Sequence, residues 1–161
     1  MKYLTRSATL TVGALLTVLL VVLVARISGQ QRGADNPVLG AWRVVEFSDT
    51  NGTVANPQPG LYIFARQHYS FARIQGTRPL PDYPSNDKAT DADKVAVFNA
   101  LYLNTGTYTI TGNSLATRAM VAKSKFAIGG AGNQYEFNVS GNTLTLTQKP
   151  SGAVIKLTRL E

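Results

Sequence analysis

The second half of the chain alternates between apolar and polar residues in short segments, and turn signals separate these segments. Tyr135, Phe137 and Val139 alternate with polar residues until Gly141 and Asn142 turn the chain. A period of two places every second side chain on the same face of a strand, so one face is buried and the other is exposed. The pattern predicts a series of antiparallel hairpins, and it recurs at residues 107–111, 114–122, 143–147 and 155–160.

The first half of the same region supplies further strands. Residues 41–49 have strand composition, residues 53–60 form a loop with two prolines, and residues 61–74 predict two strands around a turn. About eight antiparallel strands in a chain this short are expected to form a closed sheet, because closure removes unpaired edges. The sequence therefore predicts an all-β fold, an eight-stranded antiparallel up-and-down barrel. Such a barrel is filled by side chains or holds one small ligand.

One short helix is predicted in the middle of the chain. Thr90 and Asp93 have the spacing of a capping box, with Asp in place of the usual Glu. The helix is expected to end at Asn104 and Gly106. Apolar side chains recur at helical spacing and predict a stripe that packs on the sheet, formed by Val95, Phe98 and Leu101 or Tyr102.

The N-terminus has the pattern of an export signal. Lys2 and Arg6 precede an apolar run over residues 8–25, and Arg26 follows it at once. The run is long enough to cross a bilayer as a helix. Residues 1–29 are therefore interpreted as a signal peptide or an uncleaved signal anchor, which would be the membrane contact. Both alternatives place the barrel outside the cytoplasm, periplasmic, extracellular or anchored, with residues 30–37 as a polar tether.

Composition excludes several kinds of site. The chain has no cysteine and one histidine, which excludes a disulfide framework, a thiolate metal site and a multi-histidine metal site. No cofactor motif is present. When Lys2, Arg6 and Arg26 are left out, the rest of the chain has 13 basic and 9 acidic residues, which gives a net charge of +4. No basic run interleaved with aromatic residues occurs, so nucleic acid is not an expected partner. The oligomeric state is left open.

The segment over residues 61–74 has two chemically different faces. The segment is expected to turn at Gln67 and His68, which would pair Arg66 with Tyr69. Alternation then puts aromatic and arginine side chains on one face and aliphatic ones on the other. If the first face lines the barrel, it suits an acidic or aromatic small molecule. If the second face does, the first is a solvated outer surface. The aromatic and arginine face consists of Tyr62, Phe64, Arg66, Tyr69, Phe71 and Arg73.

Other polar residues carry weaker expectations. Glu46 shares alternation with Trp42 and Val44, so it is expected to point inward. A buried carboxylate needs a cationic partner, which Arg66, Arg73 or Arg118 could supply. His68 lies at a turn, where backbone geometry or solvent contact is a simpler role than general base catalysis. No catalytic or metal-binding residue is assigned. The predicted ligand-binding residues are Tyr62, Phe64, Arg66, Phe71, Arg73, Tyr108, Tyr135 and Phe137.

Two parts of the chain resemble a known family. The sequence Gly40, Ala41, Trp42 resembles the Gly-x-Trp that opens the first lipocalin strand, and Arg159 resembles the arginine that packs over that tryptophan. Residues 59–109 look like the bacterial and fungal lipocalin-like domain family, in which Gly-Leu-Tyr-Ile-Phe leads through a turn into His-Tyr-Ser-Phe. The resemblance covers most of residues 38–161 and implies a lipocalin-like barrel. Unlike secreted animal lipocalins, this chain has no cysteine pair, and its helix does not precede the final strand.

Three functions fit these observations. The first is an exported barrel that binds a small, partly apolar molecule in its lumen. The second is a cyclase- or isomerase-type enzyme that uses arginine and tyrosine to polarise a carbonyl group, although the sequence offers no nucleophile–base pair. The third is a structural or interaction domain tethered outside the membrane. The first is favoured over an enzyme, and no cofactor is expected.

Overall fold

The computed structural model describes residues 36–161. Within this range the chain forms nine strands and one helix. The predicted N-terminal apolar helix, the signal or anchor over residues 1–29 and most of the tether lie outside the described residues. In chain order the elements are β1 (Gly40–Asp49), β2 (Gly52–Ala55), β3 (Gly60–Phe64), β4 (His68–Ile74), α1 (Asp91–Ala100), β5 (Leu101–Thr111), β6 (Ser114–Ala122), β7 (Asn133–Ser140), β8 (Thr143–Lys149) and β9 (Val154–Arg159).

The sheet closes into a barrel because its first and last strands pair. β1 pairs antiparallel with β3, and on its other edge with β9. From β3 to β9 every strand pairs with its sequence neighbour, as expected of an up-and-down meander. Eight strands therefore form the barrel, which confirms the predicted fold class. β2 is the exception, because it pairs only with the far half of β1.

The prediction that residues 53–60 are loop throughout is wrong, because residues 53–55 belong to β2. Thr53 and Val54 lie opposite Ser48 and Phe47, so β1 and β2 form a hairpin that begins where β1 has left β3. The Asn51 backbone N–H donates to the Asp49 carboxylate over 2.7 Å, a local bond that stabilises the turn. Only residues 56–59 are loop, because β3 begins at Gly60.

The capping box of α1 is confirmed, but two other predictions about this helix are wrong. Thr90 accepts from the Asp93 backbone N–H, and Asp93 accepts from that of Thr90. The helix ends at Ala100 because Leu101 is extended and begins the pairing of β5 with β4. Val95 and Phe98 are 57% and 56% exposed, so no apolar stripe packs on the sheet. The Lys123 ammonium instead donates to two carbonyls of the last helical turn.

The hairpin of β3 and β4 is called the central hairpin, and its register decides which face of residues 61–74 lies inside the barrel. Phe64 pairs with Tyr69 and Tyr62 with Phe71, two residues away from the predicted register. A shift of two preserves the face of each side chain. Tyr62, Phe64, Tyr69 and Phe71 are buried, while outward-facing Leu61 is 40% exposed. The aromatic face therefore lines the barrel.

One end of the barrel is closed by a tryptophan, and we call it the tryptophan end. The Arg159 guanidinium lies 4.0 Å from the centre of the buried Trp42 ring and donates to the carbonyls of Leu39 and Pro37 over 2.6 and 3.1 Å. The indole N–H donates to the Val38 carbonyl over 2.8 Å. Gly40 has φ +118°, and a Cβ there would collide with the Glu161 carbonyl. Gly40, Trp42 and Arg159 therefore hold the segment before β1 and the C-terminal end of β9 together.

A β-bulge near Val45 overturns the inward orientation expected of Glu46. The register between β1 and β9 shifts between Val44 and Glu46, so the extra residue reverses the alternation from there on. Phe47 packs against the core instead, and Glu46 forms an ion pair with Lys156 over 2.6 Å on the outer face. None of the predicted arginine partners is needed for this carboxylate.

Candidate functional site

The interior of the barrel is filled by aromatic rings that contact one another. Tyr62 stacks on Phe71 with ring centres 4.1 Å apart, and Phe71 contacts the edge of Tyr135 at 6.3 Å. Phe64 packs edge to face against both Phe71 and Tyr108, at 5.3 Å in each case. The structure therefore brings together Tyr62, Phe64, Phe71, Tyr108 and Tyr135 as core, with Phe137 also buried. Their role as ligand contacts stays a prediction.

Arg66 is separated from this cluster. It lies between the end of β3 and the start of β4, in the turn at the tryptophan end, and it is exposed. The predicted pairing of Arg66 with Tyr69 is wrong, because Tyr69 pairs with Phe64. The turn occupies residues 65–67 rather than Gln67 and His68, and His68 is the exposed first residue of β4.

Arg73 lies at the other end of the barrel, which we call the helix end, where Gly60, Arg73 and Tyr102 are paired across β3, β4 and β5. Its guanidinium carbon is 4.6 Å from the centre of the Phe47 ring and 5.1 Å from that of Tyr102. The Nε atom is buried and has no hydrogen-bond partner, although the same guanidinium acts on the Tyr62 hydroxyl and partly offsets the rise of the Tyr62 pKa on burial. A buried N–H of a charged group that lacks an acceptor is costly, so this atom marks a place where a ligand acceptor would be stabilised.

Two cavities meet at Arg73. The larger has a volume of about 680 Å³ and the smaller about 330 Å³. The larger lies where β1 separates from β3 and is lined by Arg43, Val44, Val45, Asn56, Pro57, Pro59, Gly60, Leu61, Ala72, Arg73, Ile74, Leu101 and Leu160. The smaller lies beside the hairpin of β1 and β2 and includes Phe47, Val54 and Gln75.

The electrostatics of the larger cavity favour an anion. Arg43 and Arg73 both line it, and none of its lining residues is acidic. Among residues 36–161, the ion pairs found involve other cations, Lys94, Lys149 and Lys156. Across this same range no cluster of His, Cys, Asp and Glu side chains could hold a metal ion. The larger cavity thus has two arginines and no acidic residue in an otherwise largely apolar lining, whereas Asp49 lines the smaller one.

A separate polar cavity of about 160 Å³ lies under the Gly-rich segment that follows β6. Buried Asn104 accepts from the Tyr69 hydroxyl over 2.5 Å, and buried Thr117 lines the same space. Gly132 has φ +77°, and a Cβ there would overlap the Thr117 carbonyl. This close approach explains why a glycine is needed where the segment returns to β7.

The buried phenols have perturbed acidities that give a pH prediction. Burial raises the pKa of Tyr62, Tyr69 and Tyr135, and the field of Tyr102 raises that of Tyr135 further. Since the folded pKa lies above the unfolded value of about 10, the barrel keeps full stability below that pH and loses it as pH rises further. We expect these three tyrosines to ionise only as the barrel unfolds in alkali, measured by tyrosinate absorbance alongside far-UV circular dichroism.

The control for this titration is Tyr135→Phe. It should reduce the part of the absorbance change that coincides with unfolding and leave the earlier, reversible part unchanged. If every tyrosine ionised reversibly near pH 10 with the barrel still folded, the account of the aromatic core would be wrong.

The sequence predicted Arg73 but missed the residues around it. Phe47 was hidden because alternation without the bulge assigns its neighbour Glu46 to the interior. Helical spacing places Tyr102 in the helix, although it lies in β5 opposite Arg73. Arg43 has no sequence signal beyond following Trp42 on a predicted strand.

Comparison with known proteins gives no sequence relative and two similar structures. No protein family model and no curated protein matches the chain. A lipocalin-like protein from Bacteroides uniformis is 12% identical, with a TM-score of 0.47 over 78% of this chain and 100% of that one. An uncharacterized protein from Bacteroides eggerthii is 8% identical, with a TM-score of 0.48 over 76% of this chain and 98% of that one.

The class of protein is defined by this chain's own strand pairing. A closed eight-stranded antiparallel barrel with an arginine over the tryptophan of its first strand is consistent with a lipocalin-like domain, as the sequence predicted. Between residues 36 and 161 there is no helix of the length and hydropathy that a membrane span requires.

Proposed function

We propose that the chain is a small-molecule-binding barrel whose ligand is partly apolar and carries an anionic group that Arg73 binds. The observation that carries this proposal is the buried Arg73 Nε without an acceptor, at the junction of two cavities. Folding has desolvated this N–H without giving it an acceptor in the protein. A ligand carboxylate would supply one after a small shift of the side chains that cover the Nε atom.

The surroundings of Arg73 suit a planar, charge-assisted contact. A guanidinium group offers its N–H donors in a fixed fork that matches a carboxylate, and such bonds are about twice as strong as neutral ones. The rings of Phe47 and Tyr102 lie within 4.6 and 5.1 Å of the guanidinium carbon and limit its movement. Little side-chain entropy would then be lost on binding.

The place of action is also a proposal. The basic residues and the apolar run of residues 1–29 support export of the barrel, either with cleavage or as a membrane-anchored protein. In both cases the small molecule would be met outside the cytoplasm.

Thermal unfolding of the full chain tests the proposal. Trp42 is the only tryptophan, so its fluorescence reports unfolding of the barrel. The ligands are 4-phenylbutyrate and its neutral analogue 4-phenylbutan-1-ol. At about ten times Kd the acid should raise Tm by roughly 3–8 °C, and the alcohol should raise it much less.

Two substitutions identify the group responsible. Arg73→Gln should remove the advantage of the acid over the alcohol, whereas Arg118→Gln, an exposed arginine on β6, should keep it. Equal shifts for acid and alcohol in the unmodified chain would contradict the proposal, as would an undiminished acid shift in Arg73→Gln.

A further inference from the structure

The larger cavity lies in the wall of the barrel rather than in its lumen. β1 pairs with β3 only as far as Arg43 and Leu61, and its pairing with β2 begins at Glu46. Between these points Val44 has no strand partner on that edge, and the Val45 carbonyl accepts only from the Asn56 backbone N–H of the loop after β2. The wall therefore opens into a groove, and Pro57 and Pro59 of the following loop line it.

The sides of this groove, which we call the wall groove, are apolar and face outward. Leu61, Leu101 and Leu160 are 40%, 36% and 55% exposed, although they are large aliphatic residues. Ala72 and Ile74 of β4 complete the lining. Exposed apolar side chains that line one concave surface are typical of a binding site. The volume of about 680 Å³ is within the range of small-molecule pockets.

Gly60 and Arg73 both line the wall groove. A Cβ on Gly60 would come within 2.8 Å of the Val44 side chain and 2.9 Å of Arg73 Cβ, so the missing side chain keeps these elements close. Arg73 of β4 and exposed Arg43 of β1 both line the groove. The groove thus combines an apolar channel with two cations and no acidic residue.

Resting on the proposed function, we infer that the wall groove holds the alkyl chain of a linear anionic amphiphile whose acidic head binds Arg73. The apolar part of the ligand has no room below Arg73, because Tyr62 and Phe71 stack there at 4.1 Å. The groove is the apolar space adjoining the same guanidinium. The ligand therefore lies along the outside of the barrel wall, with its head at Arg73.

An alkanoate series tests this arrangement. Hexanoate, octanoate and decanoate are titrated into the full chain in dodecylmaltoside, with free acid measured by dialysis and stabilisation read from Trp42 fluorescence. Burying each added methylene in the groove should tighten binding by about twofold to fourfold. Ala72→Phe places a ring in the groove and should abolish this dependence on chain length. Ala116→Phe, on the outer face of β6, is the matched control and should retain it.

The outcomes separate the two proposals. If Ala72→Phe keeps the full dependence on chain length, the tail lies elsewhere and the inference is overturned. If no alkanoate binds but 4-phenylbutyrate still binds through Arg73, the wall groove is again excluded while the proposed function stands. If neither kind of acid binds the unmodified chain, the proposed function fails and the inference fails with it.

Discussion

Phe71→Ala is expected to lower the free energy of unfolding by about 3–5 kcal/mol, because it empties the centre of the aromatic core. Phe71 is 0% exposed, and its ring contacts those of Tyr62, Phe64, Tyr69 and Tyr135. Removing it costs the transfer free energy of the ring and leaves a cavity that stacked neighbours cannot easily fill. Urea unfolding of the full chain, followed by Trp42 fluorescence and circular dichroism, measures this change.

Phe126→Ala is the matched control, since Phe126 is 84% exposed in the segment after β6. The same chemical change there should alter the free energy of unfolding by less than about 0.5 kcal/mol. Similar values for both variants would mean that the rings do not form the core, and the description of a filled barrel would then be wrong.

Arg159→Met is expected to cost about 2–4 kcal/mol. Methionine keeps much of the side-chain length, but it removes the contact over Trp42 and both hydrogen bonds to the carbonyls of Leu39 and Pro37. Because these contacts join the last strand to the segment before β1, we expect the tryptophan end to loosen. Hydrogen exchange of the Trp42 indole N–H should accelerate more than exchange in β7 and β8.

The control for charge is Arg118→Met, on the exposed face of β6. It removes one cation without touching the tryptophan end and should be close to neutral. Comparable losses in the two variants would show that net charge rather than the local contact is responsible.

The barrel was predictable because burial of one face leaves a signal with a period of two. Tyr135 and Phe137 alternate with exposed residues in the structure as in the sequence. The error of two residues in the central hairpin did not change which side chains lie inside, because the period is also two. The lipocalin-like signature added the contact between Trp42 and Arg159, which alternation alone would not have paired.

Features that depend on a single inserted residue could not be predicted in this way. The bulge near Val45 reverses the alternation, and its position is set by how β1 divides its pairing between β2, β3 and β9. The predicted end of the helix is wrong for a related reason. Leu101 and Tyr102 continue the helical apolar spacing, but pairing with β4 makes them strand.

The candidate site was predictable only in part. Arg73 was selected from its own strand, whereas Phe47 and Tyr102 come from strands distant in sequence and converge on it through the closed barrel. The absence of an acceptor for Arg73 Nε is a property of the folded state and has no local sequence signal. The wall groove likewise arises from the separation of β1 and β3, which no motif records.

The most direct test of the account is the NMR signal of Arg73 Nε–H in the full chain labelled with ¹⁵N at arginine Nε, assigned by its loss in Arg73→Lys. Addition of octanoate should move this proton downfield in a saturable way, because the buried donor gains a carboxylate acceptor. The Nε–H signal of exposed Arg118 should not move. An Arg73 signal that stays in place at saturating octanoate, or one that moves no more than that of Arg118, would contradict an anion-binding site at this residue.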